Sequence, residues 1–312
     1  MMATRQAYGE ALLEFGALDP DLVVLDADLS GSTGTSKFAK AYPERFFNLG
    51  IAEQNMISVA AGLSLSGKKP FASSFAMFAT GRAWEQVRNS VAHNHANVKI
   101  AASHAGITLG QDGASHQIIE DIGIMSVIPG MTVLVPADAT ETRAMVRALL
   151  SYEGPAYLRL GRPPVPRIFE QESFQFQIGK AQIVRSGEDI TLIALGVMLS
   201  KTLEAADLLT KEGIKAEVIN LSTVKPLDSE TILQSITKTG CAVVAEEHNF
   251  IGGVSQMISF VLATSAAKHC PLSSVAIQDT FGQSGEADRL LEIYGLTTDQ
   301  IVSKAKAVIK RK

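Results

Sequence analysis

The feature that most constrains the fold is a short apolar run followed by a polar turn and a helix-like pattern, repeated along the chain. The first such run, residues 22–25, is continuously apolar and leads into the polar stretch 26–34. Strands that are apolar on both faces are typical of parallel sheets covered by helices. The sequence therefore predicts an open α/β sheet, in which ligands bind beyond the carboxyl ends of the strands.

The same alternation continues to the end of the chain and divides it into two units. In the first unit we predict strands at residues 22–25, 46–49, 70–75, 98–103, 131–135 and 155–160, and helices at 4–16, 53–63, 84–95 and 139–150. In the second unit we predict strands at 190–195, 216–221, 242–246 and 274–278, and helices at 200–212, 229–237, 253–267, 286–294 and 298–310.

Prolines mark the boundary between the two units. Three of them stand at positions 163, 164 and 166, which excludes a helix or a central strand there. We expect a first domain at residues 1–165, a linker of irregular structure at 166–188, and a smaller doubly wound domain at 189–312.

Composition narrows the class of protein. The chain has 312 residues, 46% of them hydrophobic, and a net charge of −4, which argues against a nucleic-acid or membrane-surface partner. Its two cysteines, Cys241 and Cys270, form no CxxC motif, so we expect reduced thiols rather than a disulfide framework or a zinc site. No signal-peptide pattern or membrane-length apolar run is visible, so we expect a cytoplasmic location.

Glu53 is the first candidate site residue. It stands after the predicted strand 46–49 and a glycine turn, where an apolar helix begins. A carboxylate is favourable in the first helical turn, where unpaired N–H groups and the helix dipole favour negative charge. The apolar surroundings suggest a second interpretation, in which the carboxyl group has a raised pKa or a specific partner.

A long glycine-rich loop after the predicted strand 98–103 is the second candidate site. It carries His104, Asp112 and His116, and it is longer than an ordinary strand–helix connection. Single histidines are mostly structural or solvated, but two in one such loop suggest function. Metal binding is an alternative, although the spacing matches no standard zinc pattern.

Together the Glu53 turn, the segment Ser74–Phe78 and the two-histidine loop resemble the thiamine-diphosphate enzymes of the transketolase superfamily. In that family the glutamate hydrogen-bonds the cofactor's pyrimidine ring and promotes loss of the thiazolium proton. The resemblance implies that role for Glu53, stacking on the pyrimidine for Phe75 and Phe78, and a place near the thiazolium for Asp28. Core packing would also explain the two phenylalanines, and Gly81 stands where the family often has a third aromatic residue.

The resemblance also implies a sugar site. In the family the loop histidines and aspartate face sugar hydroxyls and phosphate, and His104, Asp112 and His116 match them, with Thr108 replacing one glycine. Imidazole can donate, accept and transfer protons near neutral pH, which suits the making and breaking of a carbon–carbon bond beside an alcohol. The residues that match the family's phosphate-holding positions are Arg5, Ser32 and Arg162.

One expected part of a full transketolase is missing. No Gly-Asp-Gly motif followed by an asparagine, the family's diphosphate and Mg²⁺ signature, occurs in the chain. The resemblance therefore implies the C-terminal subunit of a split transketolase, with an N-terminal partner subunit that holds the diphosphate and Mg²⁺. The expected assembly is a heterotetramer that transfers a two-carbon ketol unit between sugar phosphates, for example from xylulose 5-phosphate.

Other interpretations remain open at this point. The beta subunit of a 2-oxo acid dehydrogenase has the same two domains, but it favours a different motif after the third strand and lacks the two-histidine loop. A deoxyxylulose-phosphate synthase normally carries the diphosphate domain in the same chain. An inactive regulatory paralogue would need none of the site residues. In the second domain His248 could relay protons, but we prefer a loop that orders a subunit interface.

Overall fold

The structure is a computed structural model, and it describes residues 1–265 and 270–312. The predicted fold class is confirmed: a doubly wound, mostly parallel sheet is followed by a smaller α/β unit. The strands are β1 (Met2–Ala3), β2 (Leu22–Asp26), β3 (Phe46–Asn48), β4 (Lys69–Ser73), β5 (Lys99–Ala102), β6 (Thr132–Leu134), β7 (Ala156–Arg159), β8 (Pro164–Val165), β9 (Gln182–Arg185), β10 (Ile190–Ala194), β11 (Ala216–Asn220), β12 (Thr223–Lys225), β13 (Ala242–Asn249) and β14 (Leu272–Ile277).

Each predicted helix has a counterpart in the structure, and the described residues contain further helices at Ser30–Thr33, Ser36–Ala41 and Asp121–Ser126 that were not predicted. They are α1 (Thr4–Gly16), α2 (Ser30–Thr33), α3 (Ser36–Ala41), α4 (Glu53–Leu65), α5 (Trp84–Gln86), α6 (Asp121–Ser126), α7 (Ala139–Ser151), α8 (Met198–Lys211), α9 (Ser229–Thr239), α10 (Val254–Thr264), α11 (Ala287–Ile293) and α12 (Thr298–Ile309). The helix predicted at 253–267 is α10 as far as Thr264, and Ala267 lies outside the described residues. Within the described ranges, no helix is both long and apolar enough to span a membrane.

Two sheets organise the described residues. The larger has seven strands in the order β12-β6-β7-β5-β4-β2-β3, parallel except for β12, which runs antiparallel to β6. The smaller has five described strands in the order β14-β13-β10-β11-β9, parallel except for β9. The continuous apolar run 22–25 forms part of β2, which lies between β3 and β4 and is fully buried, as the pattern predicts.

Three predicted segments differ in the structure, and strands β1 and β12 were not predicted. The stretch 166–188, predicted to be irregular, contains β9, which pairs with the edge of β11. The proline segment forms the two-residue strand β8, which is not central and pairs only with β1. The helix predicted at 84–95 is interrupted, because α5 is flanked by π-helical turns at Met77–Arg82 and Val87–Ala92.

A buried apolar cluster extends across both units. Val133 in the first sheet and Ile193 and Leu221 in the second unit belong to the same buried cluster. Strand β12, which follows the second unit's β11 directly in sequence, lies in the first sheet and is held by the Lys225 Nζ, which donates to the carbonyl of Ser126 at 2.7 Å. The second unit is therefore packed firmly against the first.

Candidate active site

Glu53 lies at the junction that the sequence predicts, as the first residue of α4. Gly50 has a φ of +70°, which favours glycine and turns the chain between β3 and α4. The Glu53 side chain is 1% exposed. Its Oε2 accepts a hydrogen bond from Arg82 Nη1 at 2.8 Å, and its Oε1 accepts one from Ser74 Oγ at 3.4 Å. Glu53 therefore has both features considered above, a helix N-terminus and a specific partner.

Two phenylalanine rings lie next to the partners of Glu53, since Phe75 follows Ser74 in the sequence and Phe78 lies under Arg82. The Phe75 and Phe78 centroids are 6.0 Å apart with nearly parallel planes, and the Arg82 guanidinium lies 4.4 Å from the Phe78 centroid. We call Glu53, Ser74, Phe78 and Arg82 the carboxylate cluster. Sequence reasoning missed Arg82 and the contact of Ser74, and the signal that could have found Arg82 is a lone cation one turn after Phe78 in a largely apolar segment.

His104 begins the two-histidine loop, defined here as residues 104–117. Its ring stacks on Phe75 with 3.9 Å between centroids, and its Nδ1 lies 2.8 Å from Ser103 Oγ. Burial, followed by the positive charges of Arg5 and Arg162, lowers the pKa of His104 to about 3. The ring is therefore neutral near pH 7 and can serve as one donor and one acceptor.

His116, near the other end of the loop, faces the same two rings. It makes edge-to-face contacts with Phe78 at 5.2 Å and Phe75 at 6.4 Å, and its Nδ1 is 3.0 Å from Ser115 Oγ. The structure thus brings Glu53, both phenylalanines and both histidines into one continuous site beyond the ends of β4 and β5.

Arg5 and Arg162 meet beside the loop in a cleft of about 460 Å³, which we call the arginine cleft and which is also lined by Gln111, Glu286 and Asp288. Arg5 donates to the Ser32 carbonyl at 2.6 Å and to the Arg162 carbonyl at 3.4 Å. Burial, and then the nearby charge of Arg162, lower the pKa of Arg5. Two cations held this close favour an anion between them, although the two carboxylates of the cleft oppose it.

Arg162 and Ser32 contact their neighbours in ways that the sequence does not reveal. Arg162 Nη1 donates to the Leu109 carbonyl and, at 3.0 Å, to Gln111 Oε1, so it also fixes the loop. Ser32 contacts Arg5 through its main chain and not through its hydroxyl group.

The remaining candidates lie at the edge of the site. Asp28 is exposed and has a φ of +65°, and its Oδ1 accepts from Asn48 Nδ2 at 3.2 Å beyond the ends of β2 and β3. Asp112 is exposed on the two-histidine loop. No contact found among the described residues joins Asp28 or Asp112 to the carboxylate cluster.

Two other sequence interpretations concern metal binding and His248. In the part of the chain that the structure describes, no group of three or more histidine, cysteine or acidic side chains could hold a metal ion. His248 is not in a loop, because it is buried in β13, where its Nε2 accepts from the Gly123 N–H at 3.3 Å. The prediction that His248 lies in a loop was therefore wrong, and its place at a subunit interface stays a prediction.

Comparison with known families identifies the class. The model of the transketolase pyrimidine-binding domain matches residues 1–167, and that of the transketolase C-terminal domain matches residues 179–301. The chain therefore belongs to the transketolase family, and the resemblance inferred from its sequence is confirmed.

Within the family the chain is similar over its whole length to subunits of divided transketolases. It is 48% identical to a Methanocaldococcus jannaschii protein described as a transketolase C-terminal section, covering 98% of this chain and 96% of that protein. It is 43% identical to a 6-deoxy-6-sulfo-D-fructose transketolase subunit from Clostridium sp., covering 99% and 95%. A solved split-gene transketolase, described as an inactive β4 tetramer, superposes with a TM-score of 0.92 at 50% identity, covering 99% of both chains.

Proposed function

We propose that this chain is the C-terminal subunit of a two-chain transketolase that transfers a two-carbon ketol unit from a ketose phosphate to an aldose phosphate. The observation that carries the proposal is the buried Glu53 carboxylate, whose partner Arg82 lies over Phe78, a ring that His116 also contacts. A scaffold would need neither this buried carboxylate nor two imidazoles packed on the neighbouring phenylalanine rings.

The carboxylate cluster fits the pyrimidine end of thiamine diphosphate. Glu53 would hydrogen-bond a ring nitrogen, Phe78 and Phe75 would contact the ring faces, and Asp28 would lie toward the thiazolium side. Stacking of this kind contributes roughly 0.5–1.5 kcal/mol beyond area burial. When bound, the cofactor supplies the carbon nucleophile that sugar cleavage requires.

The loop and the arginine cleft would hold the sugar. Neutral His104 can donate to or accept from a hydroxyl group. His116, which contacts the same Phe75 ring as His104, would move a proton nearby. Arg5 and Arg162 would bind the phosphate, supported by Ser32 and Asp112. The two arginines of the cleft would also bind a sulfonate, so kinetics with both kinds of sugar would distinguish the substrate class.

The site needs a second polypeptide. Ile51, in the turn before Glu53, is 78% exposed, and Phe47 within β3 is 37% exposed. These apolar side chains beside a cofactor site fit an interface with an N-terminal subunit that holds the diphosphate and Mg²⁺. We infer a heterotetramer, in which each site is shared between two chains.

The test is reconstitution with the N-terminal subunit. The purified complex, supplied with thiamine diphosphate and Mg²⁺, is expected to transfer ketol units from xylulose 5-phosphate to ribose 5-phosphate, and each chain alone is not. Turnover with 6-deoxy-6-sulfo-D-fructose alone would keep the reaction and change the sugar. Absence of cofactor binding by the complex in calorimetry would refute the proposal, and oxidative decarboxylation of a 2-oxo acid would replace it.

A further inference from the structure

The base of the two-histidine loop touches a carboxylate of the second unit. The loop is closed by a hydrogen bond from the Gly106 N–H to the Ile118 carbonyl at 2.9 Å. Gly106 has a φ of +77°, and a Cβ at this position would lie 2.2 Å from the Glu247 carboxyl carbon. Only glycine can therefore bring the loop backbone this close to Glu247.

Glu247 binds the loop directly. This residue of β13 is 3% exposed, and its Oε1 accepts a hydrogen bond from the Thr108 N–H at 2.7 Å. Its main-chain carbonyl accepts from Arg159 Nη2 at 2.9 Å, and its Oε2 forms an ion pair with Arg159 at 3.8 Å. Arg159 is shared with Asp121, whose Oδ2 accepts from its Nε at 2.7 Å. The carboxylate is thus compensated by charge as well as by the loop amide.

A second segment of the same unit holds the far side of the loop. Ser284 Oγ donates to the Gln111 carbonyl at 2.6 Å, and Gln117 Nε2 donates to the Gln283 carbonyl at 3.0 Å. Three loop residues, Thr108, Gln111 and Gln117, therefore form hydrogen bonds with the second unit.

We propose that Glu247 is a positioning residue of the active site, through which the C-terminal domain sets the geometry of the loop that binds the sugar. Among the contacts of the described residues, none joins Glu247 to the carboxylate cluster. Glu247 acts by fixing the Thr108 amide and, through it, the path of the backbone between His104 and His116. This rests on the proposed function only in assigning the loop to the sugar.

Glu246 provides a matched control. It is the preceding residue of β13, is fully buried, and accepts from the N–H groups of Val254 at 2.7 Å and Ser255 at 3.0 Å. Because successive strand residues point to opposite faces, its carboxylate serves α10 and not the loop. Glu246→Ala removes a buried carboxylate from the same strand without touching the active site.

The first measurement is hydrogen exchange of the purified chain, and it requires no activity. In Glu247→Ala we expect the peptide covering residues 104–117 to exchange about tenfold faster, because a charge-assisted hydrogen bond to Thr108 is lost. Glu247→Gln keeps an acceptor oxygen and should restore most of the protection. Glu246→Ala should leave this peptide unchanged. Equal exchange of the loop in Glu247→Ala and the wild type would overturn the proposal.

The second measurement uses the reconstituted complex. For Glu247→Ala we expect KM for the sugar to rise about tenfold, while the dissociation constant of thiamine diphosphate changes less than about twofold. Gly106→Ala, which forces the loop away from Glu247, should give the same pattern, and the double variant should be no worse than either single one. A merely structural role would instead lower the active fraction and leave KM unchanged, which would refute the proposal.

The two proposals fail in different ways. If the wild-type complex turns over none of the sugars, the proposed function fails, whereas the exchange result still decides whether Glu247 holds the loop. If the wild-type complex is active and Glu247→Ala has normal loop exchange and normal KM, only the positioning role fails.

Discussion

The carboxylate cluster and the two-histidine loop lie side by side but are held in different ways. The contacts of Glu53 with Ser74 and Arg82 join residues 21 and 29 positions apart, all in the first unit. In the second unit the loop is held by Glu247, Gln283, Ser284 and Glu286, at separations of 139 to 175 residues. The proposed cofactor side of the site is thus a product of local folding, while the proposed sugar side depends also on the packing of the two units.

The largest effect is expected at the carboxylate cluster, whose residues lie close together in the sequence. Glu53→Gln keeps an oxygen that can accept from Arg82 but loses the charge and the ability to exchange a proton with the cofactor. We expect kcat of the complex to fall by about 10²–10⁴-fold with little change in KM for the sugar. Steady-state kinetics measure this, and Glu44→Gln on the exposed surface is the control. Full turnover by Glu53→Gln would remove the assignment of the cofactor side.

A smaller effect is expected on the sugar side. Arg162→Ala removes one cation of the arginine cleft, and we expect KM for phosphorylated sugars to rise roughly 10- to 100-fold. Short unphosphorylated sugars have no phosphate for Arg162 to bind. Their KM should change much less, because only the contacts of Arg162 with the loop are lost. Arg167→Ala, an exposed arginine in the same region, serves as the control. Equal changes for both kinds of sugar would exclude a phosphate role.

The smallest effect concerns a contact between the units that lies away from the loop. Glu141 in α7 is buried and accepts from Asn220 Nδ2 of β11 at 2.8 Å, and burial raises its pKa to about 7. Between pH 4.5 and 7 the unfolded chain loses this proton before the folded chain does. Each pH unit in this window therefore lowers the free energy of unfolding by up to roughly 1.4 kcal/mol.

Glu141→Gln should remove this pH dependence without changing the site. We expect Tm to rise by about 2–4 °C relative to the wild type at pH 8 and to change little at pH 5. Differential scanning fluorimetry at the two pH values measures it, and KM should stay the same. A changed KM would show that any contact between the units affects the loop. The loop contacts would then not differ from the other contacts between the units.

Sequence patterns predicted the parts of the molecule that depend on local periodicity. The buried run of β2, the span of α1 and the position of Glu53 at the start of α4 follow from apolar spacing and a glycine turn. Arg82 was missed because its place over Phe78 depends on a π-helical turn, which the ordinary helical period does not describe. Glu247 was missed because its partner is a backbone amide 139 residues away.

The sequence also did not predict that β12, a strand that follows β11 of the second unit, joins the first sheet. Strand β12 is only three residues long and follows directly after β11, so its spacing indicates a turn within the second unit. Its pairing with β6 is decided by how the two layers meet, as Lys225 and its carbonyl acceptors show. The short strand β9, with Ile183 half exposed, is similarly too weakly patterned to be recognised.

The placement of β12 bears on where a gene for such an enzyme can be divided. A break between the pyrimidine-binding domain and the C-terminal domain would remove β12, one of the two neighbours of β6, and leave an unpaired strand edge on the larger sheet that could associate with other chains. It would also expose both halves of a shared apolar core to solvent. Fission ahead of this pair of domains avoids both hazards, so the two are expected to be inherited as a single evolutionary unit.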